Sequence, residues 1–270
     1  MSIAKNIVRF IKWSAVVVVA LLLLLLAGPL AVSLSGAHQY DSNWRTASRD
    51  SAGLAPAPEV TPEAVVQVYG ARAFNWRGYF ALHTWISVKQ SDADYYTVYE
   101  VTGWRRPVVN ARRDVPDRAW YGAAPRLIAE LRGDAAEAVI PDLLQAVEDY
   151  PFSDRYVAWP GPNSNTFVAW IIRETPGLEV ALPSHAVGKD YLGQTVQGSL
   201  PGGSGFQFSL GGVAGILAGP AEGFELNLLG LVLGVNPRVP ALKLPGLGDW
   251  PSGQASAAGA QPERDLASDF

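Results

Sequence analysis

The sequence predicts an α+β domain, an antiparallel sheet with packed helices, carried behind one N-terminal transmembrane helix. Three observations predict it: a charge-free apolar run near the N-terminus, two β-patterned segments joined by a short polar turn, and helical spacing that starts abruptly after a Pro-Gly-Pro turn.

The apolar run comes first. Between Lys12 and Asp41 there is no Asp, Glu, Lys or Arg, and residues 14–34 are mostly Val, Leu and Ala. A helix of that length spans about 30 Å, enough to cross a bilayer. Lys5, Arg9 and Lys12 precede it, and basic residues favour the cytoplasmic side. Residues 1–37 are therefore expected as a cytoplasmic tip and single-pass anchor in a bacterial inner membrane, with the main domain periplasmic. A signal peptide cleaved at Ser35-Gly36-Ala37 is the alternative; the run exceeds the about 7–15 apolar residues of such peptides, so an uncleaved anchor is expected.

Polar, then Ala/Pro-rich, composition over 38–60 reads as a linker, and 61–250 as one extracytoplasmic globular domain. Thr61-Pro62-Glu63 opens either a short helix or a strand containing Val65, Val66 and Val68. From Arg77 to Lys89, Phe80, Leu82, Thr84, Ile86 and Val88 alternate with Tyr79, Ala81, His83, Trp85 and Ser87, a strand pattern. After the turn Ser91–Asp94 a second strand is expected from Tyr95 to Trp104, so a hairpin carries His83. Arg105–Tyr121 reads as a loop with most of its arginines solvated and a short strand near Pro107–Asn110. Asp134–Tyr150 reads as helix, interrupted or restarted at Pro141.

From Trp159 to Val168 the chain reads Trp-Pro-Gly-Pro-Asn-Ser-Asn-Thr-Phe-Val. Asn163 or Ser164 can cap a helix there, and Phe167, Val168, Ile171 and Ile172 recur at helical spacing until Pro176-Gly177. A side chain at this point meets unpaired N–H groups and the positive end of the helix dipole, which favour developing negative charge. As caps, the asparagines would be replaceable by Ser or Asp. Leu200–Val235 is dense in Gly and apolar residues and suggests two or three short strands, buried or membrane-apposed; its glycines and the charges of Glu222 and Glu225 interrupt it well short of a span. Gly202-Gly203-Ser204-Gly205 lacks the GK[ST] of a nucleotide loop. Residues 251–270 are expected to be disordered.

Composition narrows the chemistry. The 270 residues are 49% hydrophobic and 17% charged, with 9 Trp, net charge −4, 3 His and no Cys. The missing cysteine excludes disulfides, thiolate metal sites and a cysteine nucleophile. Three histidines without HExxH spacing give a metal site no support, and no cofactor is expected. The absence of any large Lys/Arg cluster argues against nucleic acid as partner.

The segments Trp-Arg-Gly-Tyr-Phe-Ala-Leu-His-Thr-Trp-Ile, Tyr-Glu-Val-Thr-Gly-Trp, Trp-Pro-Gly-Pro-Asn-Ser-Asn-Thr-Phe-Val, Gly-Lys-Asp-Tyr and Pro-Ala-Leu-Lys-Leu-Pro resemble those of a bacterial membrane-protein family that is a domain of unknown function, over roughly Phe74 to Gly248. More distantly, a strand histidine, a polar residue on the next strand and Asn-x-Asn-x-Phe opening a helix are similar to circularly permuted papain-like proteins, the NlpC-like and lecithin retinol acyltransferase-like groups. That resemblance implies a permuted papain-like α+β fold. It puts His83 at the general base, Ser164 where the family has its nucleophilic cysteine, and Glu100 or Tyr99 beside the imidazole, the carboxylate being the better at fixing a tautomer. Asn163, Asn165, Tyr99 and the loop histidine His185 are the candidate binding residues. Serine is a protonated alcohol that needs an adjacent base and an oxyanion hole, so two readings stay open. One is a Ser/His hydrolase or acyltransferase acting on an envelope amide or ester. The other is a non-catalytic envelope domain binding a peptide, peptidoglycan or lipid ligand, or serving a structural role.

Overall fold

The computed structural model describes residues 2–36, 38 and 43–251; Ala37 of the candidate cleavage site and the tail from 252 onward lie outside the described residues. The N-terminal run forms one helix, α1 (Ser2–Ser35), which continues through Pro29. Its segment Lys5–Ser35, with mean hydropathy 2.9, is long and apolar enough to cross a membrane. Near its end, Leu25 and Val32 are buried against the domain.

The expected hairpin lies at the centre of a five-stranded antiparallel sheet. Its strands are β1 (Val65–Arg72), β2 (Leu82–Lys89), β3 (Thr97–Val101), β4 (Val109–Arg113) and β5 (Arg126–Arg132), in the spatial order β4-β3-β2-β1-β5. The undecided segment after Thr61 is thus a strand, as its run of Val favours. β2 starts later than its alternation suggested, because Asn75–Tyr79 forms a 3-10 turn. β5 escaped the sequence reading: it is an edge strand whose ends carry Arg126, Glu130 and Arg132, as edges commonly do.

Both faces of this sheet are covered, so its central strands are buried throughout. Against one face pack α2 (Asp134–Glu148) and α3 (Ser164–Glu174), where Val66, Val68, Ile86 and Val88 meet Val139, Leu143, Phe167 and Ile171. α2 runs unbroken through Pro141. An interior proline costs about 3 kcal/mol; burying Val139, Ile140 and Leu143 at about 1.5–3 kcal/mol each outweighs it. The other face holds a second cluster of Tyr69, Trp85, Val98 and Trp120.

Part of the stretch read as a tether folds onto this second face. Ser51 bridges to Arg118, and the buried Asp117 carboxylate accepts from Ser51 Oγ at 2.8 Å and Leu54 N at 2.5 Å.

The Gly-rich third forms more strands than expected. β6 (Gln197–Leu200), β7 (Gly203–Leu210), β8 (Ala214–Gly219), β9 (Gly223–Leu228), β10 (Leu231–Asn236), β11 (Ala241–Leu244) and β12 (Gly248–Trp250) make a seven-stranded antiparallel meander with neighbours in sequence order. Turn glycines at positive φ, such as Gly211, Gly223 and Gly230, permit its short connections. The architecture is α+β: two antiparallel sheets, two packed helices and the apolar N-terminal helix.

Candidate functional site

α3 begins where the Pro-Gly-Pro turn ends, and Asn163 is its cap. Asn163 Oδ1 accepts from Asn165 N at 2.9 Å and Thr166 N at 3.1 Å, while Thr166 Oγ1 accepts from Asn163 N at 3.1 Å, closing a capping box. Asn163 Nδ2 donates to the carbonyls of Ala158 and Val187. Asn165 Nδ2 donates to those of Leu82 and Val187, and its Oδ1 accepts from Thr84 Oγ1 at 2.9 Å. Both asparagine side chains are therefore spent on joining the helix start to β2 and to the loop after α3.

That arrangement isolates Ser164. Of the leading N–H groups of α3, those of Asn163, Asn165 and Thr166 are taken by the cap, whereas among the described residues no hydrogen bond engages the N–H or the Oγ of Ser164. Ser164, first residue of the helix, is a hydroxyl beside an unused N–H at a positive helix end.

His83 lies on β2, and the adjacent Thr84 points to the opposite face, toward α3. The His83 ring stacks on Trp120 with centroids 3.6 Å apart and planes 10° apart, with Trp85 at 5.8 Å beyond. Its Nε2 meets Glu100 Oε2 at 3.3 Å. Glu100 on β3 is buried, and Arg112 at 2.6 Å and Arg118 at 3.2 Å hold its other oxygen, with Asn110 at 3.4 Å. Burial alone would raise this carboxyl's pKa; the hydrogen bond and charge of His83 and the charge of Arg112 outweigh it, so the pKa is lowered and Glu100 is ionised. An ionised carboxylate only accepts, so Nε2 is the His83 nitrogen that donates to it, and Nδ1 is the ring nitrogen left to face the cavity chemistry.

His83 and Ser164 both line one cavity of about 670 Å³. Among the described residues no hydrogen bond joins the two side chains. Asn163, Asn165 and Leu82 share that wall, and Phe74, Trp76, Phe80, Trp104, Trp120 and Trp159 make the rest strongly aromatic. The turn between β9 and β10, Leu229–Leu231, closes another side. A smaller polar hollow of about 320 Å³ adjoins it through Trp104 and Trp120 and is lined by Glu100, Arg112 and Arg118.

Two candidates fall outside this group. Tyr99, next to Glu100, pairs with Ile86 and packs against the main core on the helix-covered face, away from the His83 ring. His185 is buried near Arg126, 3.5 Å from Nε2, and does not line the cavity. Burial first, then the charges of Arg72 and Arg126, hold its pKa well below 6.5, so it is neutral.

Arg112, Arg118 and Trp120 are site residues that the sequence reading missed, having taken most arginines of residues 105–121 as solvated. The signal was Glu100 itself: a carboxylate inside Thr-Val-Tyr-Glu-Val needs charged partners once that strand is buried. Among the described residues no group of three or more His, Asp or Glu side chains is placed to hold a metal ion.

Residues 63–191 match a family model described as a protein of unknown function (DUF3750), a span that contains β1 to α3 with His83, Glu100 and Ser164 and excludes α1 and the seven-stranded sheet. This span is a domain of unknown function. No curated protein and no solved structure matches the chain.

Proposed function

We propose that this protein is a membrane-anchored Ser/His acyl-transfer enzyme of the bacterial envelope, a hydrolase or acyltransferase acting on an amide or ester whose acyl portion is apolar. The observation that carries it is the single aromatic cavity shared by an unpartnered helix-start hydroxyl and an imidazole held by an ionised carboxylate. The similarity to permuted papain-like proteins supports the same assignment of roles.

In this reading His83 Nδ1 removes the Ser164 proton as Oγ attacks the substrate carbonyl carbon, and the carbonyl electron pair moves to oxygen. The Ser164 N–H and the positive end of α3 stabilise that oxyanion. Collapse breaks the C–N or C–O bond, and the imidazolium returns its proton to the leaving amine or alcohol. Water or an acceptor nucleophile then removes the acyl group from Ser164 by the same steps in reverse roles. Glu100 touches no substrate; it fixes the ring's tautomer and orientation and stabilises the imidazolium. No hydrogen bond joins the hydroxyl and the imidazole among the described residues, and catalytic contacts are often long before substrate tightens them.

A second reading keeps the cavity and drops the chemistry: an envelope domain that binds an apolar ligand. The aromatic lining favours it equally, and the saturated side chains of Asn163 and Asn165 leave few polar groups to orient a substrate.

Labelling of the full chain with a fluorophosphonate separates the two. The enzyme reading predicts labelling that is abolished by Ser164→Ala and slowed by His83→Ala. Equal labelling of all three proteins overturns it and leaves the binding reading.

A further inference from the structure

The seven-stranded sheet is inverted. An antiparallel sheet with one covered face normally turns apolar side chains inward and polar ones to water. Here Gln207, Ser209, Glu225, Asn227 and Lys243 are buried at inward positions, with Leu217 and Val232 as apolar neighbours on the same rows. They are held by charge and hydrogen bonds: Glu225 lies 2.8 Å from both Lys189 and Lys243, and Asn227 Nδ2 donates to Asp190 at 2.6 Å. Since Lys189 and Asp190 belong to the loop after α3, this network pins the sheet's polar side to the five-stranded domain. The register cannot slip by one residue without burying the apolar set in place of partners for Lys189 and Asp190.

The outward positions of the ladder from β7 to β10 are all Phe, Leu, Ile, Val or Ala. One row crosses every strand from β7 to β12 by direct pairing: Phe206, Ala218, Phe224, Val235, Leu242 and Trp250. Apart from Ala218, whose side chain is small, these residues are 46% to 62% exposed. At about 4.8 Å per strand the row runs about 24 Å. A contiguous apolar face of this extent marks a surface that meets something other than water.

The anchor says what. α1 packs against β10 and against the turn between β11 and β12, where a side chain at Gly28 would collide with the Pro245 carbonyl and Pro29 lies on Gly246. The same turns of α1 leave Leu26, Leu30 and Leu34 exposed. The helix long and apolar enough to cross a bilayer is thus seated on the inverted sheet, with exposed leucines beside it. We infer that the outer face of β7–β12 lies on the lipid surface, immersed in the interfacial layer of the membrane that α1 crosses.

The absence of cysteine allows the test to be made on the full chain. Single nitroxide labels at Phe206→Cys, Phe224→Cys and Val235→Cys, with Asp142→Cys on exposed α2 as reference, are compared in phosphatidylethanolamine/phosphatidylglycerol vesicles. The ratio of accessibility to oxygen, which partitions into lipid, over that to a water-soluble nickel chelate is expected to be several-fold higher at the three sheet positions than at 142. Equal ratios overturn the inference. So does spin–spin broadening at the sheet positions that vanishes on dilution with unlabelled chain, which would make the occupant a second copy.

Discussion

His83 Nε2 and Glu100 Oε2 are 3.3 Å apart, one turned to the other across β2 and β3 beneath the Trp120 ring. Glu100 also takes Arg112 and Arg118, so its charge serves two guanidinium cations and the imidazole in a buried position. Glu100→Gln keeps the shape and removes the charge. Losing charge-assisted bonds should cost about 2 kcal/mol in denaturant unfolding, and should slow fluorophosphonate labelling at least tenfold because Nε2 no longer faces an anion. Unchanged labelling in a stably folded variant would show that the carboxylate supports only the fold.

Asn163 offers a sharper test of local structure than its role as a cap suggests. Asn163→Ala should destabilise the protein by at least the about 0.5–2 kcal/mol of a lost cap. Asn163→Asp keeps both acceptor contacts to Asn165 N and Thr166 N, yet sets a carboxylate oxygen against the Ala158 and Val187 carbonyls where Nδ2 now donates. It should therefore fail to restore stability, contrary to what capping statistics alone predict. Thermal melts of the two variants decide the point.

The pH dependence of stability should carry the mark of His185. Its native pKa is depressed far below the 6.5 of the unfolded chain, so below that pH the unfolded state binds a proton that the native state refuses. The stability it contributes is complete above pH 6.5 and is lost as pH falls, with a slope approaching about 1.4 kcal/mol per unit. His185→Gln should flatten the curve between pH 6.5 and 5. An unaltered slope would place the protonation elsewhere.

The basic residues Lys5, Arg9 and Lys12 in the first turns of α1 predict the membrane topology. A reporter active only outside the cytoplasm, fused after Asp249, should be active. Activity of a cytoplasmic reporter at the same junction would reverse the orientation and remove the envelope from the proposed function.

The helix start at Ser164 was legible because proline, glycine and asparagine each act over one or two residues. So were the apolar N-terminal helix and the hairpin that carries His83, whose signals are a charge-free run and strict alternation. Local patterns could not show that Trp120 and Arg118 close over His83 and Glu100, since these contacts join residues far apart in sequence. Nor could they separate Glu100 from Tyr99, because the facing of a strand is fixed by its neighbours; the register of Ile86 with Tyr99 does that. The meander was undercounted for a related reason. Glu225 looked like a break in an apolar run, whereas it pairs with Lys243 inside the sheet.

The central claim, that Ser164 is a nucleophile, is tested most directly by the mass of the protein during turnover. The full chain is mixed with the p-nitrophenyl ester of a medium-chain fatty acid, acid-quenched within the first turnover, and digested for peptide mass analysis. A mass increase of one acyl group is expected on the peptide containing Ser164, absent in Ser164→Ala and reduced in His83→Ala. An unmodified Ser164 peptide during measurable hydrolysis, or an acyl group carried elsewhere, would contradict it.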